Sequence, residues 1–159
     1  MIKIRQAKPL DASNILRLLL SCHSEGGAYP EADEARAINW IARTLAEGYV
    51  MCVDLSGRIV GSMALTSYQF PWSPKWFLYL EWLYVQKKYR ELGAFDALMK
   101  AAHAFADDKN APILLGINAG GDNIDIKDRL LKMKGYQYLG GTFLRSEHGR
   151  VQQDEAEES

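Results

Sequence analysis

Glu81 is the only charged residue in the run Phe77-Leu78-Tyr79-Leu80-Glu81-Trp82-Leu83-Tyr84-Val85. Burying a carboxylate is costly unless it is paired or protonated, so its presence there needs a reason. One reason is structural: Glu81 pairs with a Lys or Arg, or faces solvent where the strand splays. The other is chemical. Burial raises the pKa of a carboxyl group, which suits it to take a proton from an attacking nucleophile, directly or through a water. The residues that follow collect positive charge. Lys87, Lys88 and Arg90 precede Gly93, and an amphipathic segment begins directly after it. The start of a helix leaves backbone N–H groups without partners and carries roughly half a positive charge. Such a turn can cradle a diphosphate, with Gly93 letting the backbone approach closely. A plain strand-to-helix connection has the same outline, so the loop alone leaves both readings open.

The elements that must position these residues are read from periodicity. Ile2 to Gln6 alternates as a short strand, and a helix follows with Asp11 or Ser13 near its start and Ile15, Leu16, Leu18, Leu19 and Leu20 on its buried side. After a Gly-containing loop at Ser24 to Pro30, a second helix spans about Glu31 to Glu47. Tyr49 to Val53, the turn Asp54-Leu55-Ser56-Gly57 and Arg58 to Leu65 make a hairpin by their turn chemistry. Gln69 to Lys75, with Pro71 and Pro74, is a connecting loop. Trp76 to Val85 is apolar almost throughout, as expected of a strand covered on both faces. In the next helix Phe95, Leu98, Met99, Ala102, Phe105 and Ala106 share one face. Pro112 to Ile117 reads as a buried strand, Ile126 to Lys134 as a helix stopped by Gly135, and Tyr136 to Arg145 as a last strand. The order β-α-α-β-β-β-α-β-α-β predicts a mixed α/β sheet.

Composition narrows the class. Of 159 residues 48% are hydrophobic and 25% charged, which suits one globular domain rather than a disordered chain. The formal net charge of −1 gives no global pull toward nucleic acid or anionic membrane. No window is apolar for long enough to span a bilayer, and the first residues lack the apolar core of a signal peptide. Cys22 and Cys52 form no CxxC pair and read as ordinary buried thiols of a reduced compartment, which points to the cytoplasm. His23, His103 and His148 show no metal-ligand spacing. Gly116 to Gly121 is Gly-rich but is neither a Walker loop nor a GxGxxG with the right flanks, and reads as the turn after a strand.

The stretch LEWLYVQKKYRELGAF resembles the central segment of the GNAT-type N-acetyltransferases, in which a strand ending in an aromatic residue and Val precedes Arg/Gln-x-x-Gly-x-Gly/Ala. Arg90 and Gly93 match that form. Phe95 stands at the last Gly/Ala position, and Glu91 puts a negative charge where the family often has Gly. VDLSGRIVGSMAL is similar to the preceding family hairpin, and KMKGYQYLG to the closing helix, Gly-aromatic turn and last strand. The resemblance covers residues 1–145 as one GNAT-like domain and leaves 146–159 as a polar, acidic tail.

The resemblance implies a GNAT-like fold that binds acetyl-CoA and moves its acetyl group to a primary amine by direct attack. The backbone of Leu83, Tyr84 and Val85 would hold the pantetheine arm as if it were another strand. Amides of Arg90, Glu91, Leu92, Gly93, Ala94 and Phe95 would hold the diphosphate, and Asn123 would touch the cofactor arm. Glu81 would be the general base, with no metal. Many family members carry a Tyr four residues before the closing Gly to protonate the departing thiolate, but here that position is Leu131; Tyr136 and Tyr138 read instead as strand and core. A GNAT-like module that has lost efficient catalysis is the competing class, favoured by Leu131, Phe95 and Glu91, and a fold relative that binds no CoA is a third. The aromatic run Tyr68, Phe70, Trp72, Trp76 and Phe77 reads as core or loop packing, with an apolar wall beside the acceptor as the other reading. The acceptor is a small-molecule or peptide amine, and an exposed strand edge allows a homodimer.

Overall fold

The computed structural model describes residues 1–26, 31–116 and 124–141. The chain divides into two compact units, Met1–Asp122 and Asn123–Ser159.

In the first unit, β1 (Ile2–Gln6) leads through a 3₁₀ turn at Pro9–Asp11 into α1 (Ala12–Glu25). The turn is tied to β1 by Asp11, whose carboxylate accepts from both terminal nitrogens of Arg5 at 2.8 and 3.0 Å and from the Lys8 amide at 2.7 Å. Helix α2 (Glu34–Glu47) begins later than its apolar periodicity predicts. The Asp33 side chain accepts from the Arg36 amide at 3.0 Å and sets the start, as a cap residue does. The hairpin of β2 (Tyr49–Leu55) and β3 (Arg58–Gln69) turns at Ser56 and Gly57, both at positive φ, in the manner of a tight antiparallel turn. Strand β3 runs past the predicted end at Leu65 because β4 (Trp76–Val85) pairs with it from Thr66–Tyr79 to Gln69–Trp76. Polar Thr66 and Ser67 carry no apolar pattern of their own, so this extension comes from the partner strand. A 3₁₀ segment at Lys87–Leu92 then leads to α3 (Ala94–Lys109) and β5 (Ile113–Leu114), with Asn110 in left-handed conformation closing the helix.

The sheet order is β1-β2-β3-β4-β5, antiparallel up to β4 and parallel between β4 and β5. Alternation splits its side chains between two cores. Val53, Val60, Met63, Leu65, Leu78 and Val85 pack with Ala94, Leu98, Ala102 and Ala106 of α3. Val50, Cys52, Ile59, Ala64, Trp82 and Tyr84 pack with Ile15, Leu18 and Ile41 of α1 and α2. The expected double covering of β4 is therefore present. Cys52 is buried and Cys22 half-buried, neither in a disulfide, and burial pushes the Cys52 thiol up to about 11. The described part of β5 is shorter than the predicted Pro112 to Ile117, and Ile117 lies outside the described residues.

In the second unit, α4 (Ile124–Met133) ends as read from Gly135. Gly135 sits at φ +89°, and the Tyr136 amide donates back to the Leu131 carbonyl at 3.0 Å, the wrap that closes a helix on glycine. Tyr136 to Gly141 is irregular rather than the predicted strand, with Tyr138 exposed and not in a core. The rest of that strand and the 146–159 tail lie outside the described residues. Among the described residues no helix is long and apolar enough to cross a membrane.

Candidate active site

Glu81 sits on a β-bulge. Ala64 of β3 faces Trp82 while Leu65 faces Leu80, so Glu81 has no partner residue on β3. A bulge resets the alternation of its strand and re-aims the side chain it carries. Leu80 and Leu83 accordingly both pack toward α3, while Trp82 and Tyr84 point to the α1 and α2 face. The Glu81 carboxylate accepts a hydrogen bond from the Thr66 hydroxyl at 2.7 Å. Thr66 lies against Gly48 at the end of α2, which places this bond on the α1 and α2 face. The structure leaves Glu81 half-buried, because the bulge lifts it out of the ladder, which is nearer the expected splayed strand than a fully enclosed carboxylate. Among the described residues no Lys or Arg forms an ion pair with it. The structural alternative of a Lys or Arg pair is thus replaced by a neutral donor.

Trp82, next to the bulge, is locked from two sides. Its indole N–H donates to Ser62 at 3.0 Å, and Ser62 in turn donates to the Met51 carbonyl at 3.0 Å. The Trp40 ring of α2 meets the Trp82 ring edge-on at 5.0 Å. This fixes the strand at the residue that follows Glu81.

The open edge of β4 is the second feature. β5 pairs with it only at Leu78 and Tyr79, so among the described residues no strand covers that edge from Leu80 to Val85. An uncovered edge presents backbone N–H and C=O groups to an incoming extended chain. Leu83, Tyr84 and Val85, the residues predicted to hold an extended arm, lie on this stretch.

At its end the predicted diphosphate loop takes the form of a short 3₁₀ segment rather than an open turn. Glu91, Leu92 and Gly93 are exposed, Ala94 is buried and Phe95 half-buried. Gly93 caps α3 with φ +73° and has no side chain to cover the helix start. A Cβ added there would meet nothing within 4 Å, so the backbone borders open space. Open edge, bare helix start and nearby Lys87 and Lys88 together fit an extended ligand ending in an anion.

Arg90 is placed differently from the sequence expectation of a cation awaiting an anion. Its Nε donates to the Val85 carbonyl at 2.9 Å and its Nη2 to Glu25 Oε1 at 2.6 Å, with the guanidinium 5.5 Å from the centre of the Tyr84 ring. The Tyr84 hydroxyl donates to the other Glu25 oxygen at 2.8 Å. Burial, followed by that bond to Glu25, pushes the Tyr84 hydroxyl up to about 12. Partial burial raises the Glu25 carboxyl, but the bonds from Tyr84 and Arg90 outweigh it and hold the group below its ordinary range. Glu25 escaped the sequence reading. Its one local signal is a carboxylate in the last turn of a helix, the end where negative charge is disfavoured.

Beside Tyr84, on the same face as the Glu81–Thr66 bond, a cleft of about 690 Å³ is lined by Leu16, Leu20, Ser21, Glu25 and Glu34 among others. Of the remaining residues considered from the sequence, Asn123 lies outside the described residues, and Leu131 stands half-buried in α4.

The model of the acetyltransferase (GNAT) family matches residues 12–124. The chain belongs to the GNAT acetyltransferase family. Solved acetyltransferase structures share its fold at low identity. A possible acetyltransferase from Clostridium difficile 630 is 21% identical, with a TM-score of 0.72 over 92% of this chain and 97% of that one. A predicted acetyltransferase with acetyl-CoA from Clostridium acetobutylicum is 16% identical, with a TM-score of 0.75 over 91% and 95%. The ribosomal-protein-alanine N-acetyltransferase of Brucella melitensis biovar Abortus 2308 is 16% identical, with a TM-score of 0.65 over 90% and 96%. A comparison with curated proteins finds no match. The GNAT assignment accounts for the mixed five-stranded sheet and for the strand, loop and helix succession from β4 to α3.

Proposed function

We propose that this GNAT protein is an N-acetyltransferase that moves the acetyl group of acetyl-CoA to a primary amine by direct attack, with Glu81 as general base. The observation that carries this reading is the bulge. It leaves a half-buried carboxylate, oriented by Thr66, on the strand whose other edge is uncovered from Leu80 to Val85. Acetyl-CoA supplies an acetyl thioester whose carbonyl carbon is open to attack by a neutral amine.

The chain's own residues do the rest. Backbone groups of Leu83, Tyr84 and Val85 hold the pantetheine arm along the open edge, and a backbone amide near Leu83 stabilises the negative charge that grows on the carbonyl oxygen. Amides from Arg90 to Phe95 receive the diphosphate at the start of α3, where the helix end favours negative charge. An amine is mostly protonated near neutral pH, and Glu81 takes that proton directly or through a water before attack. The acceptor enters through the cleft between α1, α2 and Tyr84, on the face that carries the Glu81–Thr66 bond. Holding amine and thioester in line supplies much of the acceleration such a transfer needs. With Leu131 in place of a phenol, the thiolate leaves without a proton from that position.

A second reading is a GNAT-like module that binds acetyl-CoA and turns it over poorly, and Leu131 is the observation in its favour. The decisive experiment is titration with acetyl-CoA followed by turnover with a panel of primary amines, for the native chain and for Glu81→Gln. The catalytic reading expects binding in both, with turnover in the native chain only. Binding without turnover by the native chain for every amine selects the module, and no binding to the native chain removes both.

A further inference from the structure

Glu25 ends α1 with a carboxylate at the negative pole of the helix, against the local preference. Both of its oxygens are engaged, one by Arg90 at 2.6 Å and one by the Tyr84 hydroxyl at 2.8 Å. Arg90 also reaches the Val85 carbonyl at 2.9 Å and lies over the Tyr84 ring. One carboxylate thus clasps three elements together: the end of α1, the end of β4 and the loop before α3. The loop is otherwise anchored by Tyr89, which packs against the α3-side core, and no residue of Lys87–Leu92 is fully buried. A segment with few buried contacts opens readily, and ordering it on binding weakens affinity.

We propose that Glu25 is a positioning residue for acetyl-CoA binding: by holding Arg90 against Val85 and Tyr84, it pre-sets the Lys87–Gly93 backbone that receives the diphosphate. This rests on the acetyltransferase reading above. Charge-assisted bonds to both oxygens suit the task, because they fix direction as well as distance. The opposite role is a shield, in which Glu25 neutralises Arg90 and competes with the diphosphate for it. The two roles predict opposite signs, so one substitution separates them.

Glu25→Gln keeps the size of the side chain but has only one oxygen to accept with. Positioning predicts acetyl-CoA binding weakened about three- to tenfold by calorimetry, on the scale of a partly exposed ion pair with its supporting bonds. The KM for acetyl-CoA rises with it by more than kcat falls. In the cofactor-free variant the Arg90 to Gly93 amides exchange hydrogen faster than in the native chain. Tyr84→Phe, which removes one anchor and keeps the ring, changes all three readouts in the same direction by less. Unchanged or tighter binding by Glu25→Gln, or unchanged exchange of those amides, overturns the proposal. Failure of the native chain to bind acetyl-CoA overturns the acetyltransferase reading instead, and the exchange comparison, made without cofactor, still judges the hold of Glu25 on the loop.

Discussion

Thr66 and Glu81 meet at 2.7 Å across a break in the β3–β4 ladder, a hydroxyl of one strand aiming the carboxylate of the other. If that bond orients the base, Thr66→Val, which keeps the shape and removes the donor, lowers kcat about three- to tenfold and leaves acetyl-CoA binding unchanged. Glu81→Gln goes further, by about 10²- to 10⁴-fold in kcat, the range for loss of a general base. Steady-state kinetics on both variants check the order. Equal losses would mean that Thr66 does more than orient.

Gly93 stands at φ +73° with open space where a Cβ would lie. Gly93→Ala therefore costs backbone strain of about 1–2 kcal/mol rather than a clash. The added methyl also intrudes on the surface proposed for the diphosphate. A lower Tm together with weaker acetyl-CoA binding is the expected outcome, read by thermal melting and calorimetry. A lower Tm with unchanged binding would move the diphosphate away from this turn.

Gly48 presents the opposite case, without positive φ but without room. A Cβ there would lie 2.7 Å from the Leu65 carbonyl oxygen and 2.9 Å from that of Thr44, both backbone. Gly48→Ala must push α2 from β3, at a cost of about 1–3 kcal/mol. Because Thr66 borders the same site at 3.1 Å, turnover falls along with stability. Denaturant unfolding and kinetics on one preparation test the pair of effects.

Ser62 accepts the indole N–H of the buried Trp82. Ser62→Ala leaves that donor unsatisfied and destabilises by about 1–3 kcal/mol. The expected readout is a lower denaturation midpoint with an unchanged slope.

Acid sensitivity has a named source in Asp11. The hydrogen bond from Arg5 holds its carboxyl below its ordinary value of 3.8, against a smaller opposing effect of burial, and the Lys8 amide adds to the lowering. The unfolded chain then binds the proton more readily than the folded one. This stability is present above the unfolded value and is lost as pH falls through the folded value. The Asp11→Asn variant should lose less stability than the native chain between neutral pH and pH 3, as measured by denaturant unfolding at each pH. An equal loss would assign the acid response to other carboxylates.

Some of this was local enough to be read along the chain. The apolar run from Trp76 to Val85, the charge at Glu81 and the face of α3 follow from side-chain period. The turns at Gly57 and Gly135 follow from the freedom of glycine at positive φ. The order of elements followed from these up to α4, and LEWLYVQKKYRELGAF combined with the hairpin VDLSGRIVGSMAL marked the family. What decided the geometry of the site was pairing between residues far apart. The bulge at Glu81 exists only in the register of β4 against β3, and no pattern within β4 announces it. Thr66 is polar at a position that looks like a strand's end until Tyr79 pairs with it. Glu25 meets Tyr84 and Arg90 over separations of 59 and 65 residues. Periodicity reports which face of an element is apolar; it carries no information on which polar side chains from different elements meet at 2.6 to 2.8 Å, because that depends on how the packed elements are placed in space.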